Sequence, residues 1–337
     1  MAGRSARASF GHTRPVSRQR SLPIAGAIHE RRPMSDTTPR AGPAPILPVL
    51  ALSLGAVLWG LWWLPLRLFH ERGLPGDWAG ALTYLAAALA ILPFMLWDWR
   101  RVRERLGALA LMTLLAGASS AAFNHAVVHG EIVRVTLLFF LTPVWGTLFG
   151  AIFLRDPLDA SRGVSIVLGL AGAAVVLGYE DGVPLPHSRA DFAGLLSGIL
   201  WGASLTAFRH RQSMPARDKA FANFLGAAIL GAAVAAYAPH LDPLDAERLM
   251  DLWPYVAAVG ALWLVPKVII ELWGASRLDP GRAGVILLLE VIVAAGSATL
   301  LAGERFGTRE ILGCLLVLGA GLIEVRAEMR KARPVPG

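Results

Sequence analysis

The 337-residue chain is 55% hydrophobic and 17% charged, where an average soluble domain carries about 25% charged residues. Its formal charge is +8, with one cysteine (Cys314) and only three lysines, Lys219, Lys267 and Lys331, none preceded by glycine. These figures exclude disorder over most of the chain, an internal disulfide, a multi-cysteine metal centre and a GK[ST] phosphate loop, and they argue against a soluble enzyme.

Residues 1–44 lack apolar periodicity, are rich in Arg, Pro and Ser, and hold no apolar signal-peptide core. They are expected to form a disordered basic arm. That arm either lies on anionic lipid or results from an upstream start codon, with Met34 as the true beginning. A bilayer core of roughly 30 Å needs about 20 apolar residues of helix. Uncharged runs of that order cover 41–66, 78–97, 106–130, 135–154, 163–179, 192–208 and 220–241. A run over 252–276 is broken only by Lys267 and Glu271, and one over 283–303 only by Glu290. A shorter run extends from Thr308 to Arg326 if its charged ends snorkel. The expectation is an all-α integral membrane protein with ten transmembrane helices.

Lys and Arg set the orientation. With the N-terminus inside, inner segments hold 24 of them and outer segments 7, with Lys267 inside a span. Both termini are therefore expected in the cytoplasm. The positive charge reads as topology, and no nucleic-acid partner is expected.

The chain repeats itself. Leu58-Trp59-Gly60 recurs as Leu200-Trp201-Gly202, and 134–156 aligns on 282–304 without a gap, placing Glu131 on Asp279 and Arg134 on Arg282. Each copy has five helices, and five is odd, so the second enters the membrane from the opposite side. Inverted repeats of this kind usually enclose a midplane site in secondary transporters. The expected units are 45–180, 190–327 and a cytoplasmic tail, 328–337.

These residues carry a resemblance to the drug/metabolite transporter superfamily, EamA-domain branch, over about 45–330. The carriers are Leu58-Trp59-Gly60, Leu200-Trp201-Gly202, the run Leu138-Phe139-Phe140-Leu141-Thr142-Pro143, Leu287-Leu288-Leu289-Glu290 and Gly303-Glu304. Two positions depart from the family pattern: Val291 replaces a proline after Glu290, and Arg155-Asp156 replaces a Gly-Glu pair. The resemblance implies a ten-helix carrier with a central cavity, usually exporting metabolites, amino acids or drugs.

Several residues could carry chemistry. Glu290 lies deep in its span, where an ionised acid costs roughly 2.5–3.5 kcal/mol on insertion scales, so it either couples protons or packs as a neutral acid. Lys267 and Glu271 are spaced i, i+4, as an internal ion pair or one that an anionic substrate opens. Asn124, His125 and His129 end the third span, with Glu131 beyond. The two histidines could grip a metal edge-on, but no second cluster supports them, so they read as cavity-lining, proton-relay or plain polar residues and no metal is expected. Glu131, Arg134, Asp279 and Arg282 open matched helices as caps or gates. Trp59, Trp62, Trp63 and Trp201 either stack on substrate or pack at the interface. Gly194, Gly198, Gly202, Gly146 and Gly150 mark close helix contacts.

The function expected is an inner-membrane secondary carrier, an exporter of small organic molecules working by alternating access as a monomer or homodimer, without cofactor. The alternatives are a proton- or sodium-coupled uptake symporter, a polytopic enzyme acting on lipid-linked substrates, and a non-transporting membrane subunit or sensor.

Overall fold

The computed structural model describes residues 46–156, 159–178, 186–210, 214–237, 245–275, 277–278 and 280–331. The expected basic arm and the tail beyond residue 331 lie outside them. Every regular element among the described residues is helical. Among the described residues, nine helices are long and apolar enough to cross a membrane: α1 (Ile46–Glu71), α2 (Gly76–Trp97), α3 (Leu106–His129), α4 (Ile132–Phe153), α5 (Ala160–Leu177), α6 (Arg189–Ala207), α7 (Ala216–Tyr237), α8 (Ala246–Ala275) and α9 (Ala283–Leu301). A further helix, α10 (Thr308–Lys331), packs along α5. Phe94, Trp97, Ile152, Phe153, Leu262 and Leu300 are exposed. Such an apolar exterior suits lipid rather than water.

Some boundaries differ from the sequence expectation. α1 runs on through Arg67, because that guanidinium is satisfied by protein: it donates to the carbonyls of Val127 (3.0 Å) and Gly130. α4 starts at Ile132, three residues early, because a carboxylate from the other half of the chain caps it.

Several helices are interrupted, two of them beside a proline. Pro65 has no N–H for the Leu61 carbonyl, which instead takes Leu64 N–H at 3.0 Å, and α1 breaks between Gly60 and Trp63. In α4 the break lies at Phe140–Leu141. Pro143 leaves the Phe139 carbonyl without its donor, and Thr142 Oγ1 supplies one at 2.7 Å. α9 breaks at the matching position, Leu288, although Val291 stands where α4 has proline. α8 widens into a π-helical segment, Val259–Leu264, just before Pro266.

Helix α1 packs on α8 and α9, and α6 packs on α3 and α4; α2 pairs with α7, and α5 with α10. Replacing each helix by the one five places on maps α1–α8 onto α6–α3 and α1–α9 onto α6–α4, and leaves the other two pairs unchanged. The repeated Leu-Trp-Gly triplets sit at two equivalent crossings. A Cβ on Gly60 would lie 2.8 Å from the Glu290 carbonyl and 2.7 Å from Val293. A Cβ on Gly202 would lie 3.1 Å from the Thr142 carbonyl and 2.8 Å from Trp145. Glycine is required at both because backbone meets backbone. Of the other expected contact glycines, Gly198 lies against the Phe139 carbonyl, whereas a side chain at Gly146 would meet open space.

Candidate functional site: a buried charge cluster between α1, α8 and α9

The broken stretches of α1, α4 and α9 meet around one small cavity of about 10 Å³, about one water in size. Trp59, Gly60 and Trp63 line it from α1, Phe123 and Val127 from α3, Thr136 and Phe140 from α4, and Glu290 and Ala294 from α9. Glu290 is the first-turn acid of the segment that follows the α9 break and is 8% exposed. Lys267 (7% exposed) pairs with Glu271 one turn along α8, and its Nζ stands 4.2 Å from the centre of the Trp59 ring. Trp59 connects the two groups: it lines the cavity with Glu290 and carries Lys267 over its ring. The interior therefore holds two carboxylates and one ammonium, with an indole face beside the cation. An uncompensated charge there is expensive, so one proton shared by the two acids would neutralise the set. The cluster can exchange a proton or receive one charged group of a ligand.

Aromatic packing fixes this face. Trp59 stacks on Phe123 at 5.9 Å and lies parallel to Trp62 at 6.3 Å. Trp63 Nε1 donates to Ser297 Oγ at 3.0 Å, tying α1 to α9, and Trp62 Nε1 donates to Asn124 Oδ1 at 3.0 Å, tying α1 to α3. Of the residues singled out from sequence, Glu290, Lys267, Glu271, Trp59 and Trp63 come together. Asn124 is one indole away. Trp201 lies half-buried on α6 against the main core and does not line the cavity. Thr142, the repeat mate of Glu290, is neutral, so the acid belongs to one half only.

Of the matched helix openings, the first departs from expectation at Glu131. Glu131 is exposed at the N-cap of α4 and its side chain makes no capping bond. Glu304 takes that role: its carboxylate accepts the N–H groups of Ile132 (2.7 Å) and Val133 (3.0 Å) and meets Arg67 at 3.5 Å. Those N–H groups are the unpaired donors of a helix start, where a carboxylate is favoured. Arg134 does form a cross-chain contact, with Asp191 of α6 at 3.1 Å and the Leu177 carbonyl at 3.1 Å. Asp279 and the side chain of Arg282 lie outside the described residues. Sequence reasoning missed Asp77, Asp191 and Arg67 as partners. It noted Glu304 only as part of a motif.

A wider cavity of about 870 Å³ lies between the later half of α1 and the earlier half of α8. Its wall is mostly apolar, with Arg72, Arg248 and Asp251 at the rim. His125 and His129 face neither cavity; they meet Asp77 at the start of α2.

A multi-helix bundle with lipid-suited flanks and charge in its interior defines a polytopic membrane protein. The profile of the EamA-like transporter family matches the chain twice, over residues 46–178 and 188–324. The chain belongs to this family of membrane transporters. It is 26% identical over 279 residues to an uncharacterized transporter of Archaeoglobus fulgidus, covering 82% of this chain and 95% of that one. It is 20% identical over 247 residues to the uncharacterized transporter YojE of Bacillus subtilis, covering 71% and 80% respectively. A protein of known crystal structure shares the fold, with a TM-score of 0.52 at 18% identity, covering 85% of this chain and 99% of that one.

Proposed function

We propose that the chain is a proton-linked secondary carrier of the bacterial inner membrane that exports small organic molecules by alternating access. Ten spans, α10 included, form two inverted five-helix repeats, 45–180 and 190–327, with both termini and the tail 328–337 in the cytoplasm. Support for the repeat comes from the double family match and from the exchangeable helix pairs. The matched breaks in α4 and α9 and the equivalent crossings at Gly60 and Gly202 point the same way. Support for the membrane comes from relatives named transporters in a bacterium and an archaeon.

The observation that carries the reading is the Lys267–Glu271 pair beside Trp59, which lines the same cavity as Glu290. Two carboxylates and one ammonium are neutral with one extra proton, so gain or loss of that proton, or of a charged ligand group, changes the cost of burying the cluster. A substrate with an anionic group would compete with Glu271 for Lys267, and its flat parts would stack on the indoles.

The test compares small molecules in medium and cytosol of cells expressing the parent chain, Glu290→Gln or Lys267→Met at equal membrane levels. Export predicts one or a few compounds enriched in the medium by the parent and not by the variants. Equal profiles in all three would remove the cluster from transport. Enrichment in the cytosol instead would make the chain an uptake symporter.

A further inference from the structure

Away from the charge cluster, two helices bring together a donor set that the transport reading does not use. Asp77 opens α2, and its side chain is 3% exposed. Its Oδ1 lies 2.9 Å from His125 Nδ1 and its Oδ2 lies 2.8 Å from His129 Nε2, both on the last turns of α3. The three ligand atoms lie within 4.8 Å of one another. The histidine side chains are 22% and 30% exposed, so the buried carboxylate is reached from solvent through the two imidazoles.

We propose that Asp77, His125 and His129 form a binding site for a divalent first-row transition-metal ion. Their i, i+4 spacing puts both rings on one face of α3, with the ring centroids 4.7 Å apart. Each ring aims a nitrogen at the same carboxylate, so a metal ion can replace the two hydrogen bonds with small shifts of the rings. Two imidazoles with one carboxylate suit Zn²⁺, Ni²⁺ or Co²⁺ and disfavour Mg²⁺ and Ca²⁺, which call for oxygen ligands. Three protein ligands leave a coordination position for water or a ligand group. His70 stands near, its ring 6.1 Å from that of His129, but it is not a ligand: its Nδ1 accepts Gly76 N–H at 3.2 Å, so its Nε2 carries the proton. Arg67 grips the carbonyls of Val127 and Gly130 on the same turns of α3. A bound ion would therefore clamp α2 to α3 beside the Arg67–Glu304 contact.

The test uses the tag-free full chain in detergent, titrated calorimetrically with Zn²⁺ and followed with Co²⁺ by visible absorption. The expected result is one ion per chain, Co²⁺ d–d bands, and no response to Mg²⁺. His125→Gln with His129→Gln keeps donors for Asp77 and should weaken Zn²⁺ more than the roughly 10–100-fold typical of losing a supporting contact. His70→Gln should bind as the parent does. In the unmutated protein, Zn²⁺ should also protect His125 and His129, but not His187, from diethylpyrocarbonate, a readout independent of any variant's folding. No stoichiometric binding by the folded parent, equal affinity in the double Gln variant, or unchanged modification of the two histidines would each overturn the site.

Discussion

Arg155 follows the C-cap of α4 with φ of +58°, in the left-handed region, and its repeat mate Gly303 follows α9 at φ +68°. Both ends close in the same way. Asp156 N–H reaches the Gly150 carbonyl at 3.1 Å, and Glu304 N–H reaches that of Ala298 at 3.2 Å. This helix stop favours glycine, and an L side chain held there costs roughly 1–2 kcal/mol. Arg155 is exposed. Arg155→Gly should therefore stabilise the protein by about 1 kcal/mol, and Gly303→Ala, which meets no atom within 4 Å, should destabilise it by a similar amount. Thermal unfolding in one detergent checks both signs, and equal shifts in the same direction would defeat the argument. The departure from Gly-Glu was visible in the sequence, but its consequence was not, because only coordinates show that the arginine keeps the glycine conformation. Glu304 makes the same point. Two backbone N–H bonds and Arg67 converge on a carboxylate that its sequence neighbours leave unexplained, and hydrogen bonds to a charged group are worth roughly 1.5–3 kcal/mol. Glu304→Ala should lose about that much stability, and Glu131→Ala, at the exposed N-cap, almost none.

At the scale of the helix, a break is tolerated where a side chain restores the lost bond. Thr142 Oγ1 holds the Phe139 carbonyl that Pro143 cannot serve, and both residues are buried. Thr142→Ala leaves that carbonyl without its donor and should cost about 1–3 kcal/mol, the usual penalty for a buried unsatisfied group. Thr142→Ser should stay close to the parent. A denaturant series in mixed micelles separates the two. Spans were legible because about 20 apolar residues leave little choice in a membrane. Glu290, Lys267 and Glu271 stood out as charges within such runs. The partners were not legible. Asp77 adjoins the edge of an uncharged run and looks like an ordinary helix start, and Trp62 finds Asn124 only through the α1–α3 crossing. The α9 break gave no warning either, since no proline marks Leu288. It coincides instead with the crossing where α1 closes on the Glu290 carbonyl.

At the scale of the whole molecule, the contacts of Glu304 and Arg134 share one property: each joins the first half of the chain to the second. Glu304 reaches the start of α4 and Arg67, and Arg134 reaches Asp191. The helix ends involved are those of α1, α4, α6 and α9, the same helices whose middles surround Glu290 or repeat its environment. Alternating access requires that such a set open at one end while the other closes. In this structure the Arg67–Glu304 and Arg134–Asp191 pairs are made, and the Glu290 cavity holds only about 10 Å³. The ion pairs are half-buried, so removing one partner leaves the other poorly solvated and should favour the open end rather than merely loosen a surface bridge. Thr136→Cys places a thiol on that cavity, with Cys314→Ala removing the native one. A membrane-impermeant maleimide should label it slowly in intact cells, and at least about tenfold faster when Arg134→Ala is added, the change a shift of about 1.4 kcal/mol produces. Arg100→Ala, an exposed charge outside both pairs, serves as the control and should leave the rate unchanged. Equal labelling in the parent and in Arg134→Ala would mean that these pairs only hold the fold, and that whatever opens the path to Glu290 lies at the other end of the bundle.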